Sequence, residues 1–356
     1  MPTAQHAALR PRRHGVFNAI RLNQTPRWLP RWLLFVACVL TQPVLAAETP
    51  KAPAIDATTA TLQRIQTAAR SLDYSGVFTY QQGGNMSSSR VIHLVDGTGE
   101  RERLEILDGD PREYVRHNDE IQCLIPEKKA IVRQQRRGDR FPGLLIDDGK
   151  NISAHYNLKT GKSLSRIAGR ACTVLELIPK DALRYGYRLC SDAKTGLLLK
   201  AQTLGARQRV IDQVTFTSLQ VGGKVDADQL ASHWDTTGWS VIEPVLAPID
   251  LAKMGWRIPA PLGFRGITQV SRSMEPDRKV NQLVLSDGLA AISVFIESVA
   301  PAHDQELAKG AVREGIMNIF GTRIGDYWFT AIGEVPAQTL RELAERTQYV
   351  PLPAPK

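Results

Sequence analysis

The chain has 356 residues and a formal net charge of +9, from 45 basic and 36 acidic residues. Six arginines and no acidic residue fall within residues 1–32, so the rest of the chain has 39 basic residues against 36 acidic ones, a net charge of +3. The basic character therefore belongs to the N-terminus and does not predict nucleic-acid binding. The remaining length is enough for two domains of ordinary size.

Residues 1–46 have the order of a secretory signal peptide. An apolar run, Leu33–Leu40, follows the basic region, and small residues then precede a cleavage point after Ala46. The run is much shorter than the ~20 residues of a membrane span, which favours a cleaved signal over an uncleaved anchor. A lipoprotein signal at Cys38 is disfavoured, because Phe35 stands where leucine is expected.

The hydrophobic pattern of the mature chain predicts an α+β fold in two domains. A helix is expected from Thr58 or Thr59 to Leu72, and alternating strands follow at intervals of about ten residues. These elements predict a first domain over 55–222, in which a curved antiparallel sheet encloses helical segments. A polar linker is predicted over 223–240, and a smaller α+β domain over 241–350 that ends in a helix.

The stretch Ala168–Gln202 reads as three strands joined by two turns. Cys172 and Cys190 lie nearly equidistant from the first turn, centred near Asp181, so a hairpin would place them opposite each other as a disulfide. A disulfide indicates an oxidising compartment and agrees with export. Cys123 lies in an apolar strand pattern and is predicted to be a buried free thiol.

Sequence motifs for catalysis are absent from the chain. It has no nucleophile elbow, no HExxH motif and no glycine loop of the Walker or dinucleotide type. The five histidines beyond residue 46 are not at metal-ligand spacing from each other or from cysteines and carboxylates. We therefore predict a protein that is not an enzyme and has no metal or cofactor, and a hydrolase of envelope substrates is disfavoured.

A basic run within thirteen residues is a candidate anionic-ligand patch, formed by Lys128, Lys129, Arg133, Arg136, Arg137 and Arg140. Its functional interpretation is a surface for lipid phosphate or an acidic peptide. The alternative is a solvated strand edge that is protected from aggregation.

The inner face of a strongly curved sheet can leave an apolar cavity for a lipid. The residues predicted to line it are Val77, Phe78, Ile92, Leu94, Leu104, Ile106 and Val115. The alternative is a filled core.

Six segments in order along the chain resemble the MucB/RseB family: LDYSGVFTY, DGDPREYVRHNDEI, AGRACTVLELIPKDALRYGYRLCSDAKTGLLLKAQ, WRIPAPLGF, LVLSDGLAAISVFIE and GEVPAQTLRELAE. The resemblance implies an N-terminal domain similar to the lipoprotein carriers LolA and LolB, a linker and a small C-terminal domain. It also implies a periplasmic negative regulator of an envelope-stress sigma factor. Such a protein binds the periplasmic part of a membrane-bound, RseA/MucA-like anti-sigma factor and shields it from the site-1 protease.

The family resemblance further implies that lipopolysaccharide or lipoprotein acyl chains release the anti-sigma factor. We predict that the second domain supplies partner-binding aromatic residues, namely Trp256, Phe264, Tyr327 and Trp328. The alternative is that these four form the core of that domain. A periplasmic lipoprotein or lipid carrier is the competing function, and self-association into a homo-oligomer is left open by the sequence.

Overall fold

The computed structural model describes residues 57–135, 141–146, 151–223, 225–275, 278–299 and 310–351. These residues form two antiparallel-rich sheets and three helices, which confirms the predicted α+β class. The predicted signal peptide, residues 1–46, lies outside the described residues.

The first sheet contains β1 (Tyr74–Gln82), β2 (Asn85–Asp96), β3 (Gly99–Ile106), β4 (Glu113–His117), β5 (Glu120–Ile125), β6 (Ala130–Gln135), β7 (Tyr156–Ile167), β8 (Arg170–Pro179), β9 (Gly186–Asp192), β10 (Leu198–Leu204), β11 (Val210–Val221) and β12 (Ser240–Ile242). The strand order is β12-β6-β5-β4-β3-β2-β1-β11-β10-β9-β8-β7. A meander therefore extends from each side of the β1–β11 pair. The last strand, β12, pairs in parallel with β6 at one edge.

Register shifts curve this sheet around the first helix. They occur at Val77/Phe78 in the β1–β11 pair and at three further points in β7, β10 and their partners. Each extra residue bends its strand and increases the local twist. The face that contacts the helix is called the inner face, and the opposite face is called the outer face.

Helix α1 (Ala57–Ser71) fills the hollow of the sheet. Leu62, Ile65, Ala68 and Ala69 recur at helical spacing and are almost fully buried, as the sequence pattern predicted. Burying Leu62 and Ile65 contributes roughly 1.5–3 kcal/mol each. Tyr74 at the start of β1 donates a hydrogen bond of 3.2 Å from its hydroxyl to the carbonyl of Ala69 and so fixes the helix to the inner face.

Cys172 and Cys190 form a disulfide between β8 and β9, with their Cα atoms 5.4 Å apart. The strand register pairs Cys172 with Asp192 and Val174 with Cys190. The two cysteines are therefore diagonal neighbours, which corrects the expectation that they stand directly opposite. The strand register centres this hairpin on Ala182 and not on Asp181, and a shift of one residue in the centre moves the partner of Cys172 by two residues. Cys123 is buried on β5 and takes no part in the disulfide.

The second sheet contains β13 (Leu246–Pro248), β15 (Arg265–Glu275), β16 (Arg278–Ser286), β17 (Ala291–Ser298), β18 (Gly310–Glu314), β19 (Met317–Ile324) and β20 (Tyr327–Gly333), in the order β13-β15-β16-β17-β20-β19-β18. A small pair is formed by β14 (Trp256–Arg257) and β21 (Gln348–Tyr349). The short helix α2 (Ile152–His155) belongs to the first domain.

The closing helix α3 (Ala337–Arg346) covers one face of the second sheet, and Pro336 precedes it as predicted. Leu340, Leu343 and Ala344 are buried in a core that includes Ile292 and Phe329. The other face of this sheet is directed towards the first domain, and the candidate site lies there.

Candidate functional site

The seven residues predicted to line an apolar cavity lie on both faces of the first sheet. Phe78, Leu104 and Ile106 belong to the inner face, because Phe78 pairs with Ser89, which pairs in turn with Ile106. The other four, which the register assigns to the outer face, are Val77, Ile92, Leu94 and Val115. The prediction of one common lining is corrected, since apolar character was counted without the alternation of side chains along a strand.

A cavity of about 390 Å³ lies between the inner face of the first sheet and the face of the second sheet that is directed towards the first domain. We call it the cleft. Its first-domain wall carries Leu104, Ile121 and Phe141, and its second-domain wall is made by β16 and β17. The complete lining comprises Ala69, Arg70, Tyr74, Glu102, Leu104, Tyr114, Arg116, Ile121, Gln134, Gln135, Phe141, Gly143, Ile146, Gln282, Val284, Ala291 and Ser293.

Apolar and polar side chains have separate roles in the cleft. Phe78 stacks edge-on against Phe141 with ring centroids 5.2 Å apart, so the inner face is closed beneath the cleft. Arg116 at the wall is held by carboxylates, at 2.6 Å from Glu100 and 3.2 Å from Glu102. The cleft thus combines an apolar floor with a polar wall that contains Arg70 and the paired Arg116, a combination that suits an amphiphile.

A buried ion pair joins the two domains at one end of the cleft. The Arg184 guanidinium donates to Asp287 at 2.6 Å, and both side chains are completely buried. Arg184 also donates to Asp181 at 3.0 Å and to the carbonyl of Leu262. The Tyr156 hydroxyl donates to the same Asp287 oxygen at 3.0 Å.

The environment of this ion pair keeps Arg184 charged and Tyr156 neutral. Burial opposes the charge on Arg184, but the hydrogen bond to Asp181 and the charge of Asp287 outweigh it and raise the pKa of the guanidinium. Burial, reinforced by the charge of Asp287, raises the pKa of Tyr156 well above its usual value. Arg184 also lies over the Phe264 ring at 5.0 Å from its centroid, so its surroundings are apolar as well as charged.

We call this contact the joint, formed by residues 181–187 of the first domain and 286–290 of the second. Leu289 inserts into the first-domain core beside Leu62 and Tyr187. The joint is also held by backbone groups, since Ile146 N–H donates to the Gly288 carbonyl at 2.9 Å. Further contacts come from Thr339 to the carbonyl of Leu183 at 2.9 Å and from Asn318 to the hydroxyl of Tyr185 at 3.1 Å.

Residues 240–248, which we call the strap, cross between the two domains at the other end of the cleft. The strap contributes β12 to the edge of the first sheet and β13 to the edge of the second, with three paired positions on each side. Val241, Ile242 and Val245 are 47%, 49% and 77% exposed. Exposed apolar side chains grouped on one segment mark a candidate interaction surface.

The segment before the strap is fastened to the outer face of the first sheet. Arg103, almost fully buried, donates to Glu113 at 2.6 Å and to the carbonyl of Gln229 at 3.2 Å. Burial alone would raise the pKa of Glu113, but hydrogen bonds from Arg103 and Ser232 outweigh it and lower the pKa. Glu105, Glu113 and His233 have the spacing of metal ligands, but the Arg103 guanidinium contacts all three and supplies the positive charge there.

Three of the six residues of the predicted anionic-ligand patch lie outside the described residues, namely Arg136, Arg137 and Arg140. Lys128 and Lys129 are exposed at the turn between β5 and β6. Arg133 on β6 is engaged with Glu243 of the strap at 2.8 Å. The patch therefore stays a prediction, and Arg133 has a role in holding the strap.

The four aromatic residues predicted to bind a partner are largely internal. Trp256, Phe264 and Trp328 are 3%, 6% and 2% exposed. Tyr327 is half-buried and stacks edge-on against Trp256, with ring centroids 5.1 Å apart. Their burial corrects the prediction of an aromatic partner surface and supports the alternative, in which they are structural residues of the second domain.

Sequence reasoning did not find the joint. Asp287 and Asp181 both lie in turns, and each accepts backbone hydrogen bonds there, as turn aspartates commonly do. No periodic pattern connects Arg184 to a carboxylate 103 positions away. One feature of the sequence does point to the joint. Arg184 and Asp287 lie in turns between strongly apolar strands, and a charge that becomes buried there requires a partner of opposite charge.

Comparison with protein families matches both domains. The model described as MucB/RseB N-terminal domain matches residues 57–234, and the model described as MucB/RseB C-terminal domain matches residues 250–348. These ranges contain the cleft, the joint and both sheets except for β12 and β13, which lie in the unmatched residues 235–249. Among the residues that the structure describes, no helix has the length and apolar character needed to cross a bilayer.

Known proteins resemble the chain over most of its length. The sigma factor AlgU regulatory protein MucB of Pseudomonas aeruginosa is 31% identical over 292 residues, which are 80% of this chain and 88% of the relative. The sigma-E factor regulatory protein RseB of Escherichia coli K12 is 25% identical over 307 residues, covering 84% and 92%. The crystal structure of MucB in complex with MucA(peri) matches with a TM-score of 0.65 and 27% identity, covering 83% of this chain and 100% of that chain.

Proposed function

Because the chain belongs to the MucB/RseB family, we propose that it binds the periplasmic part of a membrane-bound anti-sigma factor, shields it from site-1 proteolysis and so keeps an envelope-stress sigma factor inactive. The observation that carries this proposal is the match, across both domains, to a MucB that was solved together with MucA(peri). The relatives are named as regulatory proteins, which supports a binding role instead of catalysis.

The proposed location is the periplasm. Two independent features support it: the signal-like order of residues 1–46 and the Cys172–Cys190 disulfide. Disulfides of this kind persist in oxidising compartments and are rare in the cytosol.

The strap is the proposed contact for the anti-sigma factor. It offers Val241, Ile242 and Val245 on a surface that also has polar groups such as Glu243. An apolar centre with a polar rim is the usual anatomy of a protein interface. This surface replaces the buried aromatic residues in the account of partner binding.

The cleft is the proposed site of the releasing lipid. Leu104, Ile121 and Val284 can contact an acyl chain. Arg70 is the lining cation that we propose for an anionic head group, because Arg116 is already engaged by Glu100 and Glu102. If the lipid favours one arrangement of the domains and the anti-sigma factor another, each ligand weakens the other by the same factor. Lipopolysaccharide and lipoprotein acyl chains both carry the required chemistry.

A lipoprotein or lipid carrier is the second candidate, and the cleft is the observation that favours it. The extensive joint argues against it, because a carrier has no evident need for a second domain fixed by buried charges. Affinity purification of the exported protein from envelope extract separates the two functions. An anti-sigma factor as the main partner supports the regulator, and a lipoprotein cargo supports the carrier.

Direct binding tests the proposal. The exported chain, residues 47–356, should bind the purified periplasmic domain of its own organism's anti-sigma factor with a Kd of about 10 μM or tighter in titration calorimetry. A periplasmic domain from an unrelated anti-sigma factor is the control and should not bind. Absence of binding at about 100 μM would remove the proposed function.

A further inference from the structure

The joint and the cleft follow one another along strand β16, and the neighbouring strand β15 connects β16 to the strap. The joint occupies the turn at its end, residues 286–290. Val284 and Gln282, the next two positions that face the first domain, line the cleft. Gln282 accepts a hydrogen bond of 2.5 Å from Arg272 on β15, and Arg272 pairs with Leu246 of the strap. A single structural path therefore leads from one domain contact to the other.

The two ends of this path are fastened very differently. At the joint, Arg184 and Asp287 are completely buried, and Leu289 is embedded in the first-domain core. At the strap, the ion pair between Arg133 and Glu243 has side chains that are 45% and 65% exposed. Breaking a buried pair is far more costly than breaking an exposed one, so the domains separate first at the strap.

The cleft reaches the strand that holds the strap. Gln134 and Gln135 at the end of β6 line both the cleft and a groove beneath the strap, which is also lined by Glu243, Pro244 and Leu246. The same strand, β6, pairs with β12 through Ala130, Ile131 and Val132. An occupant that fills the cleft up to Gln135 therefore adjoins the pairing that holds the strap in place.

We propose that the joint is a pivot and the strap is the reporter of cleft occupancy. An amphiphile in the cleft wedges the two sheets apart about the joint, and the largest displacement falls at the far end, where β12 separates from β6. This separation rearranges Val241, Ile242 and Val245. The inference rests on the proposed function, because it explains how lipid in the cleft would release a partner bound at the strap.

A covalent bond between strap and sheet tests the mechanism. Ser240 and Ala130 are register partners across β12 and β6 and are not among the proposed contact residues, so S240C with A130C can form a disulfide. Ala130 lies on the same face of β6 as Val132, the register partner of the native Cys123, so Cys123→Ala is included in this variant and in its control. The control is V115C with Q122C, a cross-strand pair of β4 and β5 that leaves the strap free.

The readout is the Kd for the anti-sigma periplasmic domain, with and without a saturating palmitoylated anionic peptide, and binding of that peptide is measured separately. In the wild type and the control, the peptide should weaken partner binding at least tenfold. In the oxidised strap variant, the peptide should still bind but weaken partner binding less than twofold. Reduction should restore the wild-type response.

Two results would overturn the inference. One is an oxidised strap variant that releases its partner as fully as the wild type does. The other is an oxidised variant that no longer binds the peptide, which would make the strap a gate to the cleft instead of its reporter. If the wild type does not bind the partner, or if the peptide does not weaken partner binding by the wild type, the proposed function itself is contradicted. The control variant should then give the same result as the wild type, which separates this outcome from an effect of the strap disulfide.

Discussion

Charge burial at single residues decides how the two domains meet. Arg184 and Asp287 have no exposed side-chain surface, yet each lies in a turn, where polar residues are normally solvated. Their burial is tolerated because Asp181, Tyr156 and the carbonyl of Leu262 satisfy the remaining hydrogen-bonding groups. The ion pair therefore specifies one docking geometry.

Removing one partner of this ion pair should be severely destabilising. Arg184→Met leaves the Asp287 carboxylate buried without its counter-ion, and we expect a loss of about 3–5 kcal/mol in the free energy of unfolding. Urea denaturation followed by tryptophan fluorescence measures it. The matched control is Arg90→Ala, which breaks an ion pair whose arginine is 45% exposed and should cost less than about 1 kcal/mol. Equal losses for the two variants would contradict the importance of the joint.

His93 should make the first domain sensitive to acid. Its side chain is fully buried, lies parallel to the Tyr74 ring at 4.7 Å and is hydrogen-bonded to the Leu72 carbonyl at 2.8 Å. Burial lowers its pKa below the ordinary value of 6.5. A lowered pKa means that the unfolded chain binds the proton more readily, so the stabilisation is complete above pH 6.5 and is lost as the pH falls below it.

The difference between wild type and His93→Gln isolates this effect from other titrating groups. The variant should be less stable than the wild type at pH 7.5, and the gap should narrow at pH 5 because only the wild type loses stability through this histidine. Urea midpoints at both pH values give the comparison. A gap that is constant or widens towards pH 5 would contradict the assignment.

At the scale of elements, the sequence predicted the helices that hydrophobic periodicity encodes. Helix α1 and the closing helix of the second domain are confirmed. Lateral register was not predictable, and it makes the cysteines diagonal neighbours. Register depends on bulges and on the exact centre of each turn, which leave no clear periodic trace.

The disulfide should stabilise the β8–β9 hairpin through the unfolded state. It closes a loop with a sequence separation of 18, for which the chain-entropy account gives about 3 kcal/mol. The double variant Cys172→Ala/Cys190→Ala should lose about this amount in urea denaturation. Cys123→Ala, which removes a thiol outside the disulfide, is the comparison for loss of sulfur alone. A double variant as stable as the wild type would mean that the bond contributes nothing.

The strap should contribute to partner binding without contributing much to stability. Val245→Asp introduces a charge at a position that is 77% exposed, so the thermal midpoint should be unchanged. Partner affinity should fall at least tenfold if Val245 lies in the interface, because a desolvated carboxylate would remain unpaired. Met86→Asp, at a 68% exposed position on the β1–β2 hairpin, is the matched control and should leave affinity unchanged. Equal effects of both variants on affinity would argue against the strap as the contact.

At the scale of the whole molecule, the motifs predicted the family correctly, and the match over both domains confirms it. The relation between the domains could not be predicted. Residues 103 positions apart form the joint, and Glu243, which the sequence assigned to the second domain, is paired with Arg133 of the first sheet. These contacts join residues that are far apart in the sequence, so no local pattern records them. They border the cleft, which is the proposed lipid site.

The central claim is that this chain shields an anti-sigma factor and that lipid removes the shield. The most direct measurement is the rate at which purified site-1 protease cleaves the anti-sigma periplasmic domain, alone, with the exported chain, and with the chain plus an acylated anionic peptide. The account predicts that the chain slows cleavage at least tenfold and that the peptide restores the rate of the unprotected domain. Cleavage at the same rate with and without the chain would contradict it.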